Sequence, residues 1–261
     1  MTIAMAAATT TPTSRALALA ITETRLIMRN KTVAVSSVVL PVALGVFWSF
    51  QFESGGDPAR QAVSITLQLA VAMTMGLYLT ATQTLVARRH TRVLKRMRTS
   101  GLSDRGLLAA TLAPSVVLAL FQLAVFSVVN VVTGTPLPSD PLPLVLAVLG
   151  GVALVVAAAL ATSVVTPSPE RAQITTLPLM FLMLGVGVVA AIAPADGWWP
   201  ALMVVPGAAV GDLTQLAMTG GAWSAGAAGL PAILPPLAAL LVWPAVFGTF
   251  AAQRFRWDPR H

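Results

Sequence analysis

The residues with the strongest chemical character lie in one basic segment, residues 88–105, which reads RRHTRVLKRMRTSGLSDR. At about 100° per residue, a helix here separates its bases from its apolar residues. The basic face holds Arg88, Arg89, Arg92, Lys95 and Arg96, and the opposite face holds Val93, Leu94 and Met97. The simplest interpretation is a basic cluster at the membrane surface that sets topology and contacts anionic lipid. The alternative is a helix that docks on a partner protein.

A second group of polar residues recurs at helical spacing within an apolar stretch. Gln61, Ser64, Gln68, Met75 and Thr82 fall near one face of a helix over residues 62–86 and its first turn. Such a face is suited to line a path for an amphipathic solute, and Gln122 in a later apolar stretch has the same character. The alternative is that these side chains make contacts between helices, since interhelical hydrogen bonds are frequent in membranes. The candidate path residues are Gln68, Met75, Thr82 and Gln122.

Several chemistries have no support in the sequence. The chain has no cysteine, which excludes thiol catalysis and thiolate metal sites, and it has no GxxxxGK[ST] run for phosphate binding. His90 and His261 belong to no cluster with metal-ligand spacing. The apolar stretches contain no Asp, Glu, Lys, Arg or His, and Asp212 lies between the last two of them. We therefore expect no enzyme activity, metal or cofactor in this chain, and no proton-coupled carrier mechanism.

The elements that position these residues are predicted from composition. The chain has 261 residues, 56% of them hydrophobic and 10% charged, which is far from the composition of soluble proteins. Its apolar stretches match or exceed the roughly 20 residues that a helix needs to cross a bilayer. We predict one all-α transmembrane domain with six membrane-spanning helices, at about residues 33–52, 62–86, 107–132, 143–165, 174–193 and 232–252.

The distribution of charge predicts the orientation. Of the 16 Lys and Arg residues, all except Arg60 lie on the side that also holds both termini. Cytoplasmic loops carry such an excess, so both termini are predicted to be cytoplasmic and the net charge of +7 to reflect orientation rather than nucleic-acid binding. That side holds Arg15, Arg25, Arg29, Lys31, Arg88, Arg89, Arg92, Lys95, Arg96, Arg98, Arg105, Arg171, Arg254, Arg256 and Arg260.

Two further elements flank the spans. Residues 1–13 are predicted to be a disordered tail, and residues 14–31 form either a helix in the cytoplasmic interface or an extension of the first membrane helix. On the outer side, residues 194–231 contain two apolar pieces too short to cross, separated by Pro206, Gly207 and Gly211. These pieces are predicted to be re-entrant or interfacial helices.

This layout resembles the permease subunit of type-2 ABC exporters. LKRMRTSGLS, at residues 94–103, is similar to the LKRLRxSPLS-like stretch of the family's coupling helix, and the segment from Pro200 through Pro206 to Leu216 is similar to its outer helices before the last span. The resemblance in layout covers nearly the whole chain. It implies a multi-pass protein of the bacterial plasma membrane.

The resemblance also implies partners. Two permease copies, or this chain and a related one, would form the membrane domain, and two ABC ATPase subunits would carry ATP and Mg. The coupling helix would insert into the ATPase through Arg92, Val93, Leu94, Lys95, Arg96, Met97 and Arg98. Substrates in such systems include hydrophobic drugs, lipids and lipid-linked glycans. An ion-coupled carrier or channel, and a membrane protein that only anchors or senses, remain open alternatives.

Overall fold

The computed structural model of the chain describes residues 35–52, 57–91, 103–192, 199–221 and 229–255. Every regular element within these ranges is a helix, which confirms the predicted all-α class. The predicted interfacial helix at residues 14–31 and the coupling segment Arg92 to Arg98 lie outside the described residues.

The helices follow the order of the apolar stretches. The first is α1 (Leu40–Gln51), which continues from a π-helical turn at Val35–Val39. A single long helix, Pro58–His90, then consists of α2 (Pro58–Val71), a π-helical segment (Ala72–Leu79) and α3 (Thr80–His90). The remaining elements are α4 (Asp104–Val132), α5 (Pro141–Val165), α6 (Pro169–Ile192), a 3₁₀ turn (Trp199–Val204), α7 (Ala208–Thr219) and α8 (Leu234–Arg254).

Side-chain caps fix the starts of three long helices. The Asp57 carboxylate accepts a hydrogen bond from the amide of Ala59 at 3.0 Å, and the Ser103 hydroxyl accepts one from Gly106 at 3.2 Å. At the start of α5, Asp140 accepts from Leu142 at 3.0 Å. Each cap satisfies an amide that has no partner within its helix, so the helices begin where the sequence supplies a short polar side chain.

Within the described ranges, four helices are long and apolar enough to cross a membrane: Pro58–His90, Asp104–Val132, Pro141–Val165 and Leu234–Arg254. Helices α1 and α6 occupy the positions of the first and fifth predicted spans. The long helix runs four residues beyond the predicted span at each end, because Pro58 is favoured in a first turn and Arg88 to His90 are favourable in a last turn. The structure therefore has the helical architecture of a multi-pass membrane protein.

The long helix Pro58–His90 is the centre of the bundle. Helices α1, α4, α5, α6 and α7 pack against it, so that 83% of its most apolar 18-residue stretch is buried, against 22% for α4 and 17% for α8. Tyr78, Leu77 and Leu85 are its largest fully buried apolar side chains. The outer helices expose Val132 and Leu241 to their surroundings, as expected for surfaces that meet lipid or a second chain.

The two ends of the bundle differ in charge. The basic end is defined here by Arg89, Arg105, Arg171 and Arg254, which lie at the ends of α3, α4, α6 and α8. The opposite end is defined by Asp57 and Asp140 and is called the acidic end.

Helix α7 lies in the segment before the last span, which the sequence predicts to hold re-entrant or interfacial helices. It starts inside the bundle, where Gly151 lies so close to Met73 and Val210 that a Cβ atom would come within 2.6 Å of the Met73 sulfur. Gly151 is ten residues, or about 15 Å, from the start of α5. The first turn of α7, which holds Val210, therefore lies at that depth in the bundle. Helix α7 ends at the acidic end, where the Ser139 hydroxyl donates to the Ala217 carbonyl at 2.9 Å.

A left-handed glycine makes this turn possible. Gly207 has φ +101°, and a Cβ atom there would lie 3.3 Å from the main chain of Met183 in α6. Only glycine combines this backbone conformation with so close a contact. Just before Gly207 in the chain, the Val204 carbonyl accepts a hydrogen bond from the Trp243 indole of α8 at 3.0 Å. This bond joins the 3₁₀ turn to the last helix.

Candidate functional site

The central helix positions three of the four predicted path residues inside the bundle. Gln68 in α2 and Thr82 in α3 are fully buried, while Met75 in the π-helical segment is partly buried. Gln122 lies in α4 and is also fully buried. The structure thus places all four within the protein, at different depths along the seams between the central helix and its neighbours.

Gln68 belongs to a hydrogen-bonded cluster that joins three helices. Its amide nitrogen donates to the Ser49 hydroxyl at 2.6 Å and to the Asn130 amide oxygen at 3.0 Å, and Asn130 donates back to Gln68 at 2.9 Å. The Ser49 hydroxyl is also 3.1 Å from the Asn130 oxygen. Buried amides are costly without partners, so this cluster fixes α1, α2 and α4 against one another.

Gln122 makes a separate contact one layer nearer the basic end. Its amide nitrogen donates to the Ser37 carbonyl at 2.6 Å, while its amide oxygen packs on Gly76. A Cβ atom on Gly76 would lie 2.3 Å from that oxygen. Glycine at position 76 therefore leaves room for the Gln122 amide, which a larger residue would displace.

A lateral groove opens beside the polar cluster. It has a volume of about 190 Å³ and lies between α2, α4, α5 and the loop that follows α4. Gln68 and Asn130 contribute its polar atoms, and Leu123, Phe126 and Val131 are among its apolar walls. Of the four predicted path residues, only Gln68 lines this groove, so the structure does not bring all four to one common surface.

The chemistry of this groove is that of neutral hydrogen bonding beside apolar surface. Amide and hydroxyl groups can contact an amphipathic molecule but cannot serve as general acids or bases near neutral pH. No group of three or more His, Asp or Glu side chains suited to a metal ion occurs within the described ranges.

At the basic end, Arg89 is an arginine buried to 3% exposure in the last turn of α3. Its guanidinium donates to the Ser163 carbonyl at 2.7 Å and to the Thr166 carbonyl, both at the carboxyl end of α5. The sequence analysis grouped Arg89 with the basic face and missed this role. The only available signal was the position of an arginine directly at the end of an apolar span.

The turn between α5 and α6 lies close to the same end. A hydrogen bond from Ser168 lowers the pKa of the exposed Glu170 carboxyl, with smaller lowering contributions from its own backbone amide and from His90. The residues that would follow Arg89 into the predicted coupling helix, Arg92 to Arg98, lie outside the described part of the chain.

Asp212 has a burial that the sequence did not predict. It was assigned to an outer segment between the fifth and sixth spans, but the structure buries it completely in the second turn of α7. The difference arises because the tertiary fold inserts that segment among α2, α5, α6 and α8. A carboxylate near the amino end of a helix is favoured by the helix dipole.

Comparison with known proteins agrees with this architecture. A family model described as ABC-2 family transporter protein matches residues 4–252. No curated protein matches the chain at a significant level. Because the matched region reaches from before the first described helix to Ala252 near the end of α8, the family assignment applies to the bundle as a whole, and the chain belongs to the ABC-2 transporter family as a membrane-embedded transport subunit.

Proposed function

We propose that this chain is the permease subunit of an ATP-driven exporter. Its membership of the ABC-2 family carries the proposal, since the family match extends over nearly the whole chain. Two permease copies, or this chain and a related permease, would form the translocating unit. Two ABC ATPase subunits would bind ATP and Mg and supply the energy.

The segment Arg92 to Arg98 is the proposed contact with the ATPase. Val93, Leu94 and Met97 would fill an apolar cleft, and the surrounding bases would meet acidic groups or lipid phosphates. The position of this segment supports the assignment, because it directly follows the most buried helix of the bundle. A displacement of the segment would therefore act on the core rather than on a peripheral helix.

The proposed substrate is a hydrophobic or amphipathic molecule such as a drug, a lipid or a lipid-linked glycan. The groove beside Gln68 and Asn130 supports this class, because it combines apolar walls with neutral hydrogen-bonding groups. A strongly charged solute would find no opposite charge among the residues that line it.

The proposed location is the bacterial plasma membrane, with both termini in the cytoplasm. The arginines at the ends of α3, α4, α6 and α8 support this orientation, because they all lie at one end of the bundle. Asp57 and Asp140 would then lie on the outer side.

A proton-coupled carrier is the second candidate, and the burial of Asp212 is the observation that favours it. A carrier of this kind requires a titratable group within the membrane, and the burial of Asp212 among α2, α5, α6 and α8 supports it as a candidate. The two candidates differ in their energy source and in whether an ATPase accompanies the chain.

Co-purification in mild detergent tests the proposal. We expect an ABC ATPase to be retained by the wild-type chain and lost from Met97→Asp, because burying a carboxylate in an apolar cleft costs several kcal/mol. The matched control is Thr99→Asp, which adds the same charge on the opposite side of the predicted helix. Retention of the ATPase by Met97→Asp would show that this face is not the contact.

A further inference from the structure

The carboxyl end of α5 is held by an arginine from a different helix. Arg89 lies in the last turn of α3, three positions before Arg92, and its guanidinium bonds to the carbonyls of Ser163 and Thr166. The last carbonyls of a helix have no partners within it, and they carry partial negative charge. The Arg89 side chain therefore supplies both hydrogen-bond donors and positive charge where α5 requires them.

Arg89 differs from an ordinary surface base because it is almost completely buried. A buried guanidinium is stable only where its donors are satisfied, so α3 cannot slide along α5 without leaving this charge and these carbonyls unpaired. The contact therefore resists relative motion of the two helix ends.

A second contact joins the long helix Pro58–His90 to α5 nearer the centre of the bundle. The Tyr78 hydroxyl is 2.8 Å from the Thr162 hydroxyl, and both groups are buried. Tyr78 is eleven residues before Arg89, or about 16 Å along the helix axis. Two contacts on one pair of helices restrict rotation as well as sliding.

We propose that Arg89 is a positioning residue that transmits displacement of segment 92–102 to α5. This inference rests on the proposed function, in which the segment is moved by the ATPase. The displacement would reach α3 first, since α3 directly precedes this segment in the chain. It would pass to α5 through the Arg89 guanidinium. Helix α5 packs along α8, so the motion would extend to the last helix of the bundle.

Hydrogen–deuterium exchange of the complete permease–ATPase complex tests this proposal. Exchange is measured in segments 86–91 and 162–168, without nucleotide and with ATP, Mg and orthovanadate. In the wild type we expect nucleotide to change exchange in both segments. In Arg89→Gln we expect the change in 86–91 to persist and the change in 162–168 to fall by roughly threefold or more, the scale of a lost hydrogen-bonded contact.

The control variant is Arg254→Gln, which removes a positive charge from the same end of the bundle. Arg254 is exposed at the end of α8 and lies over the Phe250 ring at 4.9 Å. We expect it to show the wild-type response in both segments. If Arg89→Gln does not assemble, Arg89→Lys replaces it, because lysine keeps the charge but lacks the planar fork that reaches two carbonyls.

The possible outcomes separate this inference from the proposed function. A wild-type nucleotide response in 162–168 of Arg89→Gln, or of Arg89→Lys in its place, overturns the role of Arg89. Faster exchange of that segment in both states with an unchanged difference also overturns it, because that result indicates a purely structural role. A wild-type complex that responds in 86–91 but not in 162–168 overturns the inference alone. Absence of any response in 86–91 contradicts the proposed coupling loop itself.

Discussion

Gln68 and Asn130, which are 62 positions apart in the chain, exchange two hydrogen bonds through their side-chain amides. Each amide supplies both a donor and an acceptor to the other, at 3.0 and 2.9 Å. Gln68 is buried and Asn130 is partly buried, so the reciprocal pairing keeps two polar side chains stable between apolar helices. The pair joins the central helix to α4 beside the lateral groove.

Replacing both members of this pair should destabilise the protein by less than the sum of the two single replacements. Gln68→Leu leaves the Asn130 amide with fewer partners, at a cost of about 1–2 kcal/mol, and Asn130→Leu has the converse effect. The double variant removes both polar groups, so its loss should be smaller than the sum of the single losses. The measurement is the melting temperature of the purified chain in detergent.

Thr249→Val is the control for this cycle. Thr249 is exposed on α8, and its hydroxyl bonds only to carbonyls of its own helix among the described contacts. We expect a shift near zero. Strictly additive losses at Gln68 and Asn130 would contradict the inferred pairing.

A methyl group at position 76 should be poorly tolerated. Gly76→Ala would place Cβ 2.3 Å from the Gln122 amide oxygen, so the buried amide must shift from the position in which it bonds to the Ser37 carbonyl. Overpacking of this kind costs about 1–3 kcal/mol. Adding Gln122→Ala should recover part of the lost melting temperature, because it removes the atom that clashes.

Gly185→Ala is the matched control, since a Cβ atom there meets no other atom within 4 Å. Alanine favours a helix more than glycine does, so this variant should be neutral or stabilising. Equal losses at positions 76 and 185 would argue against the close approach of Gly76 to Gln122.

Single cysteines should report the orientation of the bundle, because the natural chain has none. Ser139 and Thr219 are exposed at the acidic end, and cysteines there should react with an impermeant thiol reagent in whole cells. A cysteine at Thr99 should react only after the cells are opened. Reaction at Thr99 with protection at Ser139 would invert the proposed topology.

The energy source should distinguish the exporter from the carrier. In inverted vesicles, we expect transport to require hydrolysable ATP and to continue after the proton and sodium gradients are dissipated. Asp212→Asn should keep this behaviour, because the exporter mechanism transfers no proton through Asp212. Transport that continues without ATP and stops in Asp212→Asn would establish the carrier instead.

The general architecture was predictable because hydropathy and charge act locally along the chain. Apolar stretches such as 143–165 have no stable state except a helix in lipid, and arginines such as Arg254 mark where those stretches end. The short pieces around Gly207 were predicted to be short helices, re-entrant or interfacial, because they are apolar yet too short to span, and the structure forms the 3₁₀ turn and α7 there. The motif LKRMRTSGLS carries the family resemblance in the sequence itself.

The contacts of the candidate site could not be read in the same way. The rotation of each helix about its axis decides whether Gln68 meets Asn130 or faces a path, and a periodic pattern is compatible with both. The burial of Asp212 depends on four surrounding helices, and the contact of Arg89 depends on where α5 ends beside α3. Pairing between residues distant in the chain is a property of packing, so these relationships were established by the fold and not by local composition.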